Sequence, residues 1–308
     1  MTLFRRYKFL LVSLAAAIAV AALAGNSPGL PAGALPQKAE TSMQDCAACH
    51  EDLVKAFAKN SHSVLEKSAA YKLGNPCEPC HGPGKAHIEG GGDITKIIHY
   101  KGKTAKLHNQ QCLACHSKDH EVSGYGGSTH AKQGLNCADC HGIHTSAGLT
   151  RSLKQQTSTL CMSCHTVQKT EFSKPYHHRV TEKAMECTDC HQPHSGLDRR
   201  QVRNSSTGEE ICFRCHKEKQ GPFVFEHGAI RLRGCQGCHE PHGSNNPKML
   251  VRATATSLCL ECHSRTAVWS VNSSQPPSFH NLNSSVYRNC TTCHVMIHGS
   301  NFDGAFIR

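Results

Sequence analysis

Ten copies of a five-residue motif, Cys-x-x-Cys-His, are spread through this sequence and use every cysteine in it. The chain has 308 residues, with 20 cysteines and 24 histidines. Successive motifs begin only 23 to 35 residues apart, which leaves little chain for a conventional apolar core between them. The ten copies are CAACH (46–50), CEPCH (77–81), CLACH (112–116), CADCH (137–141), CMSCH (161–165), CTDCH (187–191), CFRCH (212–216), CQGCH (235–239), CLECH (259–263) and CTTCH (290–294).

This motif is the attachment site of a c-type haem. Positions i, i+3 and i+4 share one face of a helical turn, so both thiols can bond to one haem while the histidine binds its iron. Structural zinc sites and disulfide scaffolds do not require a histidine after every cysteine pair. We therefore predict ten covalently bound haems. The predicted thioether cysteines are Cys46, Cys49, Cys77, Cys80, Cys112, Cys115, Cys137, Cys140, Cys161, Cys164, Cys187, Cys190, Cys212, Cys215, Cys235, Cys238, Cys259, Cys262, Cys290 and Cys293. The predicted iron-binding histidines of the motifs are His50, His81, His116, His141, His165, His191, His216, His239, His263 and His294.

The fourteen remaining histidines follow a repeat that supplies a second iron ligand for each haem. After each even-numbered motif, a histidine follows within a few residues; these are His87, His144, His194, His242 and His298. After each odd-numbered motif, one follows 11 to 17 residues later; these are His62, His130, His177 or His178, His227 and His280. Spacing alone leaves open which of these distal histidines serves which haem, and whether His177 or His178 is the ligand.

Two histidines on one iron indicate electron transfer rather than catalysis. They leave no open coordination position for a substrate, and the absence of methionine ligation suggests low reduction potentials. We therefore expect an electron-transfer protein with no catalytic residues. A multihaem reductase of oxyanions is a less favoured alternative.

The fold that we expect is a multihaem cytochrome c, with short α-helices and irregular loops wrapped around ten haems and little or no β-sheet. Apolar residues are too sparse for an ordinary core, so the haems supply most of the buried apolar surface. A longer helix is predicted over residues 49–62. Residues 46–308 form the decahaem domain, which the histidine repeat divides into five dihaem units.

The N-terminus has the pattern of a secretory signal peptide over residues 1–24, followed by a linker over residues 25–45. A basic start, a short apolar run and Ala22-Leu23-Ala24 predict export to the periplasm. No later segment could span a lipid bilayer as a helix. The formal charge of +11 is expected to balance haem propionates, not to bind nucleic acid.

With these features, the chain resembles the decahaem cytochromes of the MtrA, PioA and DmsE group. The resemblance runs from CAACHEDLVKAF (46–57) to CTTCHVMIH (290–298), and CHGPGKAH (80–87) is among its most specific features. It implies a periplasm-facing cytochrome inserted in an outer-membrane β-barrel porin, with periplasmic or outer-surface redox partners. It also implies two pentahaem halves, whereas the histidines indicate five dihaem units. A soluble periplasmic or extracellular electron carrier is the alternative.

Overall fold

The computed structural model describes residues 39–67, 74–100, 105–145, 149–195, 200–203, 210–263 and 280–308. The predicted signal peptide and most of the linker lie outside the described residues. The α-helices are Met43–Phe57, Glu78–His81, Lys85–Glu89, Ala105–His116, Thr129–Lys132, Cys137–Cys140, Thr157–Met162, Thr166–Glu171, Cys187–Cys190, Glu210–Phe213, Gly228–Arg233 and Ala255–Leu260. The 3-10 helices are Ser61–Glu66, Ile94–Lys96, Tyr125–Gly127, Thr150–Ser152, Lys217–Lys219, Cys235–Gly237, Pro247–Met249, Ser285–Tyr287 and Cys290–Thr292.

Extended structure in these ranges is limited to isolated β-bridges, with no strand or sheet. The expected fold class of short helices and irregular loops is therefore confirmed. None of the helices in the described ranges has both the length and the apolar character needed to cross a bilayer.

The first helix begins earlier and ends earlier than the predicted helix over residues 49–62. It starts at Met43 because Ser42 and Asp45 form a capping box, and it ends at Phe57. His50 interrupts it with φ −117° and ψ 42°, so the helix is kinked at the motif histidine. Asn60 then caps a separate 3-10 helix, which carries His62.

Each motif forms one turn of helix, as the spacing predicts. Where the bond lies outside a longer helix, the histidine N–H donates to the carbonyl of the first cysteine at 2.9 to 3.0 Å. Acidic residues inside two motifs strengthen these turns, because Asp139 and Asp189 accept the N–H of Asn136 and Glu186 at 2.7 and 2.8 Å. The turn places both thiols and the ring on one side.

A return loop follows each of motifs 4, 6 and 8 and folds back against the motif histidine. Antiparallel bridges join His141 to Leu153, His191 to Val202 and His239 to Leu250. In the loops after motifs 4 and 8, Arg151 and Lys248 have backbone angles in the left-handed region, with φ of 57° and 58°. This repeated turn aims a backbone carbonyl at the ring of the motif histidine.

The sequence His-Gly-Ser ties the segments that follow motifs 8 and 10 to upstream segments. Ser244, in His242-Gly243-Ser244, pairs with Tyr176, and Ser300, in His298-Gly299-Ser300, pairs with Phe225. Both serines are almost completely buried. Gly243 (φ 152°) packs so closely that an added Cβ would lie 2.3 Å from the Glu171 carbonyl oxygen. The close approach leaves no room for a larger residue there.

Very little apolar side-chain surface is buried. In the described part of the chain, the buried apolar residues are Phe57, Tyr125, Phe172 and Val180. A core of four such residues cannot offset the conformational entropy of a chain this long. Further apolar material must therefore fill the space between the segments.

Replacing Gly243 with alanine should destabilise the protein, because the new Cβ clashes with backbone and φ is unfavourable for an L-residue. We expect a loss of about 1–3 kcal/mol or more in the free energy of unfolding. Gly228→Ala is the matched control, since its Cβ would meet nothing within 4 Å. Guanidinium denaturation followed by circular dichroism measures both variants, and equal midpoints would contradict the tight contact.

Candidate haem-binding sites

Every motif histidine faces one histidine from elsewhere in the chain. The ring centres of these ten pairs are 6.0 to 6.5 Å apart. The pairs are His50–His87, His81–His144, His116–His62, His141–His194, His165–His130, His191–His242, His216–His178, His239–His298, His263–His227 and His294–His280. All ten motif histidines are included, and each has a different partner.

The spacing within each pair fits one metal ion between two imidazoles. A transition metal binds an imidazole nitrogen at about 2.0 Å, and that nitrogen lies about 1.1 Å from the ring centre, so the two ring centres should be about 6.2 Å apart. The observed range of 6.0 to 6.5 Å brackets this value. The gap therefore fits a six-coordinate haem iron with a histidine on each face.

The pairing follows a rule that spacing did not reveal. Motifs 2, 4, 6 and 8 pair with the histidine that trails the next even motif, as His81 does with His144. Motifs 3, 5, 7 and 9 pair with a histidine that lies after the preceding odd motif, as His116 does with His62. Only the first and last motifs find their partners within their own dihaem unit. Each pair of neighbouring units is thus joined by two histidine pairs.

Hydrogen bonds at Nδ1 hold the rings of the even-motif histidines in position. The acceptors are backbone carbonyls: Ile98 for His81 (2.7 Å), Arg151 for His141 (2.8 Å), Arg200 for His191 (2.8 Å), Lys248 for His239 (2.9 Å) and Ala305 for His294 (2.5 Å). A carbonyl can only accept, so Nδ1 carries the proton and Nε2 keeps its lone pair for a metal. The return loops therefore select the tautomer that can bind iron.

The proline just before the histidine that follows motif 6 or motif 8 orients a distal histidine of a different pair. The Pro193 carbonyl accepts from Nδ1 of His130 at 3.1 Å, and the Pro241 carbonyl accepts from Nδ1 of His178 at 2.6 Å. His62 is positioned differently, because its Nδ1 lies 3.1 Å from Oδ1 of buried Asn60. That side chain also donates to the Gly142 carbonyl at 3.0 Å, which ties the first unit to the second.

Burial keeps several distal histidines neutral, as metal binding requires. Desolvation lowers the pKa of His62, His144, His194 and His227, and the nearby motif histidine of each pair lowers it further. Burial lowers the pKa of His298 to about 4, with Lys219 and His239 adding to the shift. These rings are poised as neutral ligands across the physiological range.

His178, and not His177, occupies the position opposite a motif histidine. The ring of His178 lies 6.4 Å from that of His216, whereas Nε2 of His177 contacts Glu182 at 2.9 Å. Hydrogen bonds to Glu182 and to the Lys174 carbonyl raise the pKa of His177, which favours its protonated form. The structure thus separates two adjacent histidines that spacing could not distinguish.

Cysteines of consecutive motifs contact each other, and the contact alternates between the first cysteines and the second cysteines of the motifs. Within a unit the first cysteines meet: contact between the thiols lowers the pKa of Cys46 to about 6 and raises that of Cys77. The same contact joins Cys112 to Cys137 and Cys161 to Cys187. Between units the second cysteines face each other; burial raises the pKa of Cys80, and Cys115 raises it further. In these cases each motif lies beside the next one in sequence.

One continuous cavity of about 6600 Å³ runs between the segments. All 20 cysteines and all twenty paired histidines line it, whereas His177 does not. Shared among ten motifs, it offers about 660 Å³ each, within the range of about 300–1,000 Å³ for a cofactor site. A space of this size, lined by thiols and rings at a repeated spacing, fits a haem at each motif.

The competing uses of the cysteines do not match this arrangement. The 20 cysteines all lie in the described ranges, and no disulfide bond joins any two of them in this structure. Across the described ranges, no three His, Cys, Asp or Glu side chains converge as they would around a structural zinc ion.

Family profiles of c-type cytochromes match successive parts of the chain. The doubled CXXCH motif matches residues 177–221 and 227–268. The profile of cytochrome c-type proteins similar to NrfB matches residues 77–159, and that of cytochrome c554 and c-prime matches residues 27–82. Each match covers less than half of the chain, and all three describe multihaem or c-type cytochromes.

Two proteins of Shewanella baltica (strain OS185) are similar to this chain. The multihaem cytochrome MtrC is 26% identical over 124 residues, which cover 40% of this chain and 17% of that protein. The multihaem cytochrome MtrA is 34% identical over 264 residues, which cover 83% of this chain and 78% of that protein. The resemblance inferred from the motifs is thereby confirmed, and the chain belongs to the MtrA family of multihaem cytochromes.

Proposed function

We propose that this protein transfers electrons through ten c-type haems, each bound by two thioethers and two histidines. The observation that carries this proposal is the set of ten histidine pairs at the spacing of two imidazoles across one metal. The cysteines of each motif would form the thioethers, and the motif histidine and its partner would be the two protein ligands of the iron. Bound in this way, a haem supplies reversible one-electron chemistry.

Closure of every iron argues for a relay and against an enzyme. A haem enzyme needs an open position for substrate, but each motif histidine here faces a second ring at ligating distance. The carbonyl bonds at Nδ1 hold these rings in place and resist their displacement. The oxyanion-reductase alternative lacks an open position in any of the ten pairs.

Contacts between consecutive motifs support a single electron path that follows the sequence. First cysteines meet within a unit, and second cysteines face each other between units. Haems attached to these cysteines lie close together, and electron transfer between them requires such proximity. Entry and exit then lie at the first and last motifs, near Cys46 and Cys293.

We further propose that the protein acts from the periplasm as a conduit inside an outer-membrane β-barrel. A compact chain of this length is about 50 Å across, which exceeds the roughly 30 Å hydrocarbon layer. Its mean hydropathy is −0.44, and irregular backbone cannot face lipid. A protein sheath is therefore required if the chain crosses the membrane. The similarity to MtrA and MtrC favours redox proteins of that kind as partners.

A soluble periplasmic or extracellular electron carrier is the second candidate. The polar surface of the chain fits this function without any barrel. The two candidates share the same ten haem sites and differ only in whether a sheathing partner is present.

The haem count can be tested by mass spectrometry of the intact purified protein. We expect ten covalently attached haems, because each of the ten motifs presents both thiols to the cavity. Changing Cys187 and Cys190 to alanine should leave nine. The Met162→Leu variant, altered at a spacer position of another motif, should keep ten. A wild-type count below ten would refute the assignment.

The assignment of His178 can be tested against its neighbour. His178→Ala should convert one low-spin haem, attached at His216, to a five-coordinate high-spin haem. His177→Ala should retain ten low-spin haems, because that ring contacts Glu182 instead. Electron paramagnetic resonance and the high-spin absorption band distinguish the two results, and the opposite pattern would assign the ligand to His177.

The conduit is tested by co-purifying the protein with the β-barrel proteins of its own outer membrane. We expect a stable complex that reduces a dye enclosed in lipid vesicles when a reductant is added outside. The cytochrome alone should give no transmembrane reduction, since nothing sheaths its polar surface. Recovery of the cytochrome without any barrel would support the soluble carrier.

A further inference from the structure

Carboxylates lie beside only a few of the paired histidines. Among the described residues, they come within 4 Å of Nδ1 at His116, His216 and His242. The contact of His216 with Glu218 is 4.0 Å long, and the contact of His116 with Asp119 is about half exposed to solvent. His242 and Glu171 combine a 2.8 Å contact with side-chain exposures of only 31% and 29%.

Glu171 is held in place by elements that belong to two different units. It is the last residue of the helix Thr166–Glu171, which directly follows the fifth motif. Its carbonyl packs against Gly243, the neighbour of His242. Buried Phe172 lies against the ring of His242, with ring centres 5.2 Å apart. These contacts hold the Glu171 carboxylate at Nδ1 of His242.

We propose that Glu171 lowers the reduction potential of the haem held between His191 and His242, acting through His242. This inference rests on the proposed axial ligation. A negatively charged acceptor at Nδ1 makes the imidazole a more basic ligand than a neutral carbonyl does, and stabilises ferric over ferrous iron. Partial burial weakens solvent screening and strengthens the effect. When the iron gains one electron from a neighbouring haem, the Nδ1 proton stays on His242 and no bond is broken.

The next junction along the chain shows that the fold does not need this carboxylate. There Phe225 pairs with Ser300 as Tyr176 pairs with Ser244, 49 residues earlier. The same shift places Gln220 at the position of Glu171, and Gln220 is exposed. The equivalent histidine, His298, instead has both Lys219 and Glu218 nearby, and the charged groups of these two side chains lie 3.9 Å apart. Two equivalent haem sites would therefore differ in charge, with a carboxylate at hydrogen-bond distance from one ring and an oppositely charged pair near the other, which should separate their potentials.

The test is the Glu171→Gln variant of the intact, haem-loaded protein, titrated electrochemically and followed by electron paramagnetic resonance. We expect ten low-spin haems, with the midpoint potential of one haem raised and its g-values shifted toward those of a neutral imidazole. Glu182→Gln is the matched control. It removes a carboxylate at the same kind of contact, 2.9 Å from His177, which belongs to no pair.

Three results would overturn the inference. Unchanged potentials in Glu171→Gln, with all haems low-spin, would show that the carboxylate does not tune the iron. An equal shift in Glu182→Gln would show a general charge effect instead. A high-spin haem in Glu171→Gln would show that Glu171 only positions His242. A high-spin haem at this site in the unaltered protein would instead refute the axial ligation itself.

Discussion

The structure depends on one interaction that is repeated ten times, the facing of two histidines across a gap that fits one iron. Four buried apolar residues in the described ranges cannot hold segments this short together. Each histidine pair brings together segments that are distant in sequence, and each is expected to hold a haem that fills the cavity. The proposed ligation that would make the protein redox-active would therefore also assemble it, as metal binding does in other small-core proteins.

The histidine pairs join each dihaem unit to the next, so the chain is not divided into separate units. The unit containing His81 is joined to the next by His144, and His62 makes the reverse connection to His116. The same two-way exchange recurs at every later junction. No junction has fewer such links than the others, so the five dihaem units suggested by the sequence share their ligands. The pairs offer no weaker boundary at which two pentahaem halves would separate.

The sequence indicated which cysteines and histidines are candidates for haem attachment and iron ligation, because both need fixed residues at fixed spacing. It could not predict the partners. Those depend on return loops that bring His144 to His81 across 63 residues, and no spacing rule encodes such a path. His177 and His178 illustrate the limit. They are adjacent and of the same type, yet the ring of His178 faces His216 and the ring of His177 faces Glu182. The repeated sequence His-Gly-Ser, at residues 242–244 and 298–300, could have indicated where the chain returns to a buried position.

A multihaem cytochrome built in this way could vary its reduction potentials without changing the positions of its paired histidines. The carbonyls that fix the even-motif rings come from the backbone, so substitutions in the loops leave the ligand positions unchanged. In the proposed tuning, charge would act on an iron through a side chain such as Glu171, which the repeat does not require. Haems held at these pairs could therefore have unequal potentials, because backbone contacts position the rings and side chains set the charge around them. That separation lets a repetitive chain acquire a directed sequence of potentials while its fold stays the same.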